Sequence, residues 1–240
     1  MESYLNDSQL KTLAIQRLQN AIANNTLVQE KKELYFYEHW ENGKGTVIGC
    51  ISAINDLEEA AKMFGIPVQL WMIQDHIFQY LEEEKAHQFA LDFLEAVPVG
   101  ETVDVAWKKY FIWLLAEVDH STMDVLKHID LAKTALDLAV NTLKRMLTEE
   151  LTTEELERIV KEINAYRGIV GRAADAGAVQ PEYAGWELAK AHWAIQSATN
   201  ASYIKHLLPQ GGPPAMWEFL GEQLISIIRI GKVSRNTYDI

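Results

Sequence analysis

The sequence predicts an all-α fold: a single multi-helix, bundle-like domain of about eight helices, with at most one very short β-hairpin near residues 35–48. Three observations predict it. Apolar residues recur at three- and four-residue spacing along most of the chain. Ser, Thr, Asp and Pro stand where helices should begin, and Gly or Pro where they should stop. There is no alternation of strand and helix patterns to suggest a parallel sheet, and no fixed-period repeat.

The elements follow in order. Asp7 or Ser8 caps a first helix whose stripe is Leu10, Leu13, Ala14, Leu18, Ala21 and Ile22. Asn24-Asn25-Thr26 weakens it, and helix is expected to resume from Val28 to Leu34. Aromatic residues (Tyr35, Phe36, Tyr37, Trp40) then lead into Glu41-Asn42-Gly43-Lys44-Gly45-Thr46-Val47-Ile48-Gly49-Cys50. Asn42-Gly43 is a hairpin signal, to be weighed against a plain ordered loop. Cys50 to Phe64 reads as one helix closed by Gly65. Pro67 opens the next, which runs to about Glu83 with Leu70, Trp71, Ile73, Ile77, Phe78 and Leu81 inward and Gln69, Gln74, Asp75 and Gln79 outward. A short helix from Lys85 to Ala96 stops at Pro98 and Gly100.

Val105 to Val118 is apolar on nearly all sides, as expected of a buried, central helix. Long helices follow over 121–148 and, after the capping box Thr152-Thr153-Glu154-Glu155, over the segment carrying Leu156, Ile159, Val160 and Ile163. Pro181 begins a helix rich in small residues that ends near Leu208. Pro209-Gln210-Gly211-Gly212-Pro213-Pro214 reads as a linker. The expected organisation is a main helical domain over 1–208, with 209–240 supplying the linker and a C-terminal helix that packs back on it.

Composition narrows the function classes. The 240 residues carry 48% hydrophobic and 23% charged residues, which suits an ordinary globular protein able to bury roughly 70% of its unfolded surface. The net charge of −12, with no basic cluster, argues against nucleic acid as a partner. The longest apolar run, Phe111 to Ala116, is far short of the roughly 20 residues that span a bilayer, so no membrane partner is expected. The N-terminus lacks the pattern of a signal peptide, and a single cysteine cannot form an intrachain disulfide; a cytoplasmic location is the expectation. A homo-oligomer remains open.

The candidate chemistry centres on residues 41–50, which hold three of the thirteen glycines and the one cysteine. The Gly-Lys pair is followed by Gly45 and no glycine stands at position 38, so this is not a nucleotide-binding P-loop. Trp40, Asn42, Gly43, Lys44, Gly45 and Gly49 are candidates for a ligand-binding backbone cradle; the plain alternative is a tight connection. Cys50 at a helix start is a candidate nucleophile with His39 or His76 as base, set against the ordinary reading of a small buried hydrophobe. The two Glu-x-x-His pairs, Glu84/His87 and Glu117/His120, have the spacing of four-helix di-metal carboxylate proteins. Their closeness in sequence and their helix-end positions argue against a metal, and no cofactor is implied. Asp75-His76 falls on what the helical pattern makes a polar, solvent-facing side.

Trp40-Glu41-Asn42-Gly43-Lys44-Gly45, Val47, Gly49-Cys50, Gly65-Ile66-Pro67, Asp75 with Ile77-Phe78, Phe93-Leu94-Glu95-Ala96, Pro98-Val99-Gly100 and Trp107 occur in that order. In this the chain resembles a group of bacterial and phage-encoded proteins to which no activity is assigned. The resemblance covers about Tyr35 to Leu115, and it implies a link to phage–host conflict rather than a reaction. Thr46 stands where group members often carry a second Cys, and Ser52 and Ala53 where a His is found, so chemistry resting on those groups is not expected here. The leading expectation is a helical binding or interaction protein with its ligand or partner site around residues 35–50. A Cys50-dependent or anion-binding enzyme and a di-metal protein are the alternatives.

Overall fold

The computed structural model describes residues 1–29, 39–118, 130–177 and 214–231. Among them lie nine α-helices and one two-stranded antiparallel hairpin, so the fold is all-α with a short β-hairpin. The chain divides into two compact units, Met1–Trp107 with Gly212–Tyr238, and Lys108–Gly211. The helix expected over 181–208 lies outside the described residues. No helix among those described is long and apolar enough to cross a membrane.

The first unit opens on a tight turn, Ser3–Asn6, in which Tyr4, Leu5 and Asn6 all take positive φ (51°, 51° and 59°). Left-handed backbone costs a residue with a Cβ about 1–2 kcal/mol. The turn is held by the contacts it makes far along the chain. Ser3 N–H and Oγ–H both donate to the Glu101 carbonyl, at 2.9 and 2.8 Å, and Gly100 N–H donates to Ser3 O at 3.0 Å. The fully buried Tyr4 donates its hydroxyl to Leu94 O at 2.7 Å.

Helix α1 (Ser8–Ala23) is capped by Asp7, whose carboxylate accepts from Gln9 N–H. After it, Val28 N–H donates to Gly45 O at 2.9 Å beside an extended bridge, so the helix expected over 28–34 does not begin at Val28, and residues 30–34 lie outside the described residues. Strands β1 (Trp40–Glu41) and β2 (Lys44–Gly45) form the hairpin, paired Trp40 to Gly45 and Glu41 to Lys44. Asn42 (φ 51°) and Gly43 (φ 80°) fill the turn, the positive-φ pair that matches the twist of two short strands.

The single helix expected from Cys50 to Phe64 is two. Helix α2 (Val47–Ser52) ends at Ala53, in left-handed conformation, and α3 (Leu57–Phe64) begins at Asp56, whose carboxylate caps the N–H groups of Glu58 and Glu59. Gly65 closes α3 as expected. Helices α4 (Val68–Tyr80) and α5 (Glu83–Ala96) follow, and the C-terminal α9 (Pro214–Ile230) packs on both. Trp71 of α4 lies edge-on to Phe64 of α3 and tilted against Phe93 of α5, with ring centroids 6.2 and 5.3 Å away. Tyr80 stacks on Trp217 of α9 at 4.4 Å.

Helix α4 is therefore buried on nearly every side, and the expected outward face is corrected. Gln74, Asp75, His76 and Gln79 are all buried, while Gln69 is half-buried. The reason is that α3, α5 and α9 all pack on this helix, α9 from more than a hundred residues downstream, and the local pattern cannot anticipate that cover.

Helix α6 (Asp104–Ile112) passes into a π-helical turn, Trp113–Glu117. In the second unit, α7 (Asp130–Arg145) and α8 (Thr153–Gly177) pack together. Thr152 caps α8 by accepting from Glu155 N–H at 3.2 Å, as the capping box predicts, and Arg145 reaches across to Glu155 at 2.9 Å.

Candidate functional site

The hairpin and α2 form a closely built junction around the carbonyl of His39. That oxygen accepts from Thr46 N–H at 3.0 Å, and His39 Nδ1 meets Thr46 Oγ1 at 3.0 Å. A Cβ on Gly45 or Gly49 would stand 2.2 or 1.6 Å from the same oxygen. These two glycines thus permit backbone to pass against backbone. Gly45 N–H is already given to Thr26 O at 3.0 Å, and Gly45 O accepts from Val28. The amides that would cradle an anion at residues 45 and 46 are therefore engaged internally. Glu41, Asn42, Gly43 and Lys44 are exposed, Trp40 is half-buried, and Trp40 N–H donates to Asn55 Oδ1 at 2.6 Å.

Cys50 turns its thiol inward. Its Sγ lies 3.3 Å from Gly45 O and 3.6 Å from Thr26 O. Burial pushes the thiol up to about 11, against a partial opposing pull from the Gly45 hydrogen bond. Burial also lowers the pKa of His39. A protonated thiol bonded to carbonyls is a poor nucleophile at neutral pH. His76 sits in a different environment, on α4 beside the stacked rings of Tyr80 and Trp217, at 5.2 and 5.6 Å.

The Glu-x-x-His residues are dispersed. Glu84 is exposed and His87 half-buried on α5, in the first unit, whereas Glu117 belongs to the second. His120 lies outside the described residues, as do Tyr35, Phe36 and Tyr37. Among the described residues no group of three or more His, Cys, Asp or Glu could hold a metal ion.

Two features escaped the sequence pattern. The first is a polar seam along α4. Trp71, Gln74, Asp75 and Gln79 are three to four residues apart and so neighbours along the helix surface. Gln79 Nε2 donates to Asp75 Oδ1 at 3.3 Å. Among the described residues no hydrogen-bond partner reaches Trp71 Nε1, either amide atom of Gln74, or Gln79 Oε1. Burial pushes the Asp75 carboxyl up to about 7, partly offset by the Gln79 hydrogen bond.

The second is a groove of about 580 Å³ between α5 and α9. Leu81, Phe89, Ile225 and Ile230 supply its apolar surface, and Lys85, Gln88, Asp92, Glu218, Glu222 and Arg229 line its polar edges. Gly221 shapes the floor: a Cβ there would meet the Phe89 ring at 3.0 Å, so the missing side chain lets the ring lie against α9. A glycine in the middle of so apolar a helix was the one sequence signal that pointed here. No family model, curated protein or solved structure matches this chain.

Proposed function

We propose that this protein acts by binding a partner, and that the groove between α5 and α9 is the binding site. One observation carries the reading: the groove is a concave, largely apolar surface edged by a few charged side chains, the usual make-up of a binding cleft. The hairpin at residues 40–45 contributes close packing and an exposed polar tip, and Cys50 contributes to the interior of the same junction.

The test uses an apolar fluorescent dye, anilinonaphthalene sulfonate, titrated into the full chain while backbone amide NMR signals are followed. Shifts should concentrate on α5 and α9. Ser226 of α9 also lines the groove; Ser226→Trp, which fills it from that side, should weaken the dye at least tenfold, and Lys44→Ala at the hairpin tip should leave it unchanged. Shifts confined to the hairpin, or equal affinity in the Ser226→Trp protein, would reject the groove.

A further inference from the structure

The two walls of the groove run in the same direction. Lys85 near the start of α5 pairs with Glu218 near the start of α9. The Phe89 ring lies over Gly221 one turn later. At the far end, Lys11 donates to Glu95 O at 2.8 Å and lies close enough to Arg229 for the guanidinium to lower its pKa, a smaller effect there than desolvation and the opposing pull of Glu95. Two parallel helices thus flank a valley. Glu218 to Arg229 spans roughly 16 Å at 1.5 Å per residue, or about three turns. A valley of this length between helices suits a third helix laid along it with apolar residues at i, i+3 or i+4, and i+7.

The charges along the valley have an order. At the near end Lys85 and Glu218 neutralise each other. In the middle the α5 edge is acidic at Asp92. At the far end stand Arg229, which makes no ion pair among the described residues, and Lys11, on which the Glu95 carboxylate acts more strongly than Arg229 does. The far end is also where both wall helices present their C-termini, the negative ends of their macrodipoles.

We propose that the occupant is an amphipathic helix of a partner protein, docked antiparallel to α5 and α9, with an acidic first turn at Arg229 and Lys or Arg residues one to two turns later opposite Asp92. This rests on the groove being the binding site. Antiparallel docking sets the positive N-terminal end of the incoming helix against the negative ends of the walls. It also puts carboxylates in that helix's first turn, where they favour its own formation. Basic residues in its middle meet the Asp92 carboxylate in a protein whose net charge of −12 already attracts them.

The experiment uses two labelled sixteen-residue peptides of identical composition, each with Leu at the four anchor positions. One carries an acidic first turn and basic middle, and the other has these charges exchanged; the four Leu anchors are i, i+3, i+4 and i+7. Fluorescence anisotropy with the full chain at low salt should show the first peptide binding at least tenfold more tightly, and 0.5 M salt should narrow the gap. The double variant Asp92→Lys, Arg229→Glu changes only half-buried or exposed side chains and should reverse the preference, with circular dichroism confirming the fold. Equal affinities, the opposite preference in the natural chain, or no binding of either peptide would overturn the proposal. If the dye still enters the groove in that case, the site stands and only its occupant is wrong; if the dye also fails, the site itself is rejected. A concentration-dependent dimer in sedimentation, broken by Ser226→Trp, would assign the valley to a second copy and overturn the partner helix.

Discussion

Cys50 and the glycines around it show how the same residue types serve chemistry in one setting and packing in another. The thiol lies against the Gly45 and Thr26 carbonyls, and burial pushes it up to about 11. An ordinary cysteine, with a pKa near 8.5, has a few per cent of thiolate at pH 7. Cys50 should have far less. Alkylation by iodoacetamide at pH 7.5 is expected to run at least tenfold slower than for a free cysteine, and to climb steadily up to about pH 11. A rate that levels off near pH 8 would contradict this. The sequence marked these residues as unusual because three glycines and a cysteine lie together. It could not reveal that Gly45 and Gly49 face the His39 carbonyl, since that approach depends on how the hairpin folds back. Asn42-Gly43 was legible because a positive-φ pair is a local requirement. The break at Ala53 was not, because an alanine in left-handed conformation carries no signal of its own.

At the scale of the element, α4 departs furthest from its pattern. The period-3.6 reading separated an apolar from a polar side correctly, but a polar side is exposed only if nothing covers it. With α3, α5 and α9 packed on this helix, Gln74, Asp75 and Gln79 lie in the interior. The consequence is a pH dependence whose sign can be worked out. The Asp75 carboxyl titrates near 7 in the folded chain, against about 3.9 when unfolded. Below pH 4 both states hold the proton. Between 4 and 7 the unfolded chain releases it and the folded chain keeps it, so stability falls as pH rises; above 7 the penalty is constant. Asp75→Asn keeps an acceptor for Gln79 and removes the titration. It should match the natural chain at pH 4 and exceed it at pH 8 by roughly 2–4 kcal/mol in urea unfolding. An equal difference at both pH values would show that the carboxyl does not titrate within the fold. The capping residues Asp7, Asp56 and Thr152 were more legible than the burial, because a cap is satisfied within one turn of its own helix, although Asp56 became visible only once the break before it was known.

At the scale of the molecule, the helical class was readable because periodicity recurs along the chain, while the groove was not. It is made by α5 and α9, which lie more than a hundred residues apart in the sequence and each read as an ordinary amphipathic or apolar helix. The first unit is assembled from Met1–Trp107 and Gly212–Tyr238 with the second unit's residues between them in sequence. A chain ending before Pro214 would leave in water the faces of α4 and α5 on which α9 packs, including the His76 and Tyr80 rings that meet Trp217. Such a truncated chain is expected to lose its cooperative thermal transition and to bind apolar dye at many sites. A sharp transition near that of the full chain would show that the first unit closes without α9.

This discontinuity also sets an order of events during synthesis. Helices α1 to α5 leave the ribosome first, and the stretch made before α9 follows is longer than all five together. Throughout that interval the seat of α9 on α4 and α5 is open, and the left-handed turn at Ser3–Asn6 has its anchors at Leu94 and Glu101 well before the C-terminal helix appears. The newborn chain therefore passes through a state whose ends are at different stages, the N-terminus latched and the core still uncovered. In that state the open seat exposes apolar surface that favours aggregation, until α9 covers it.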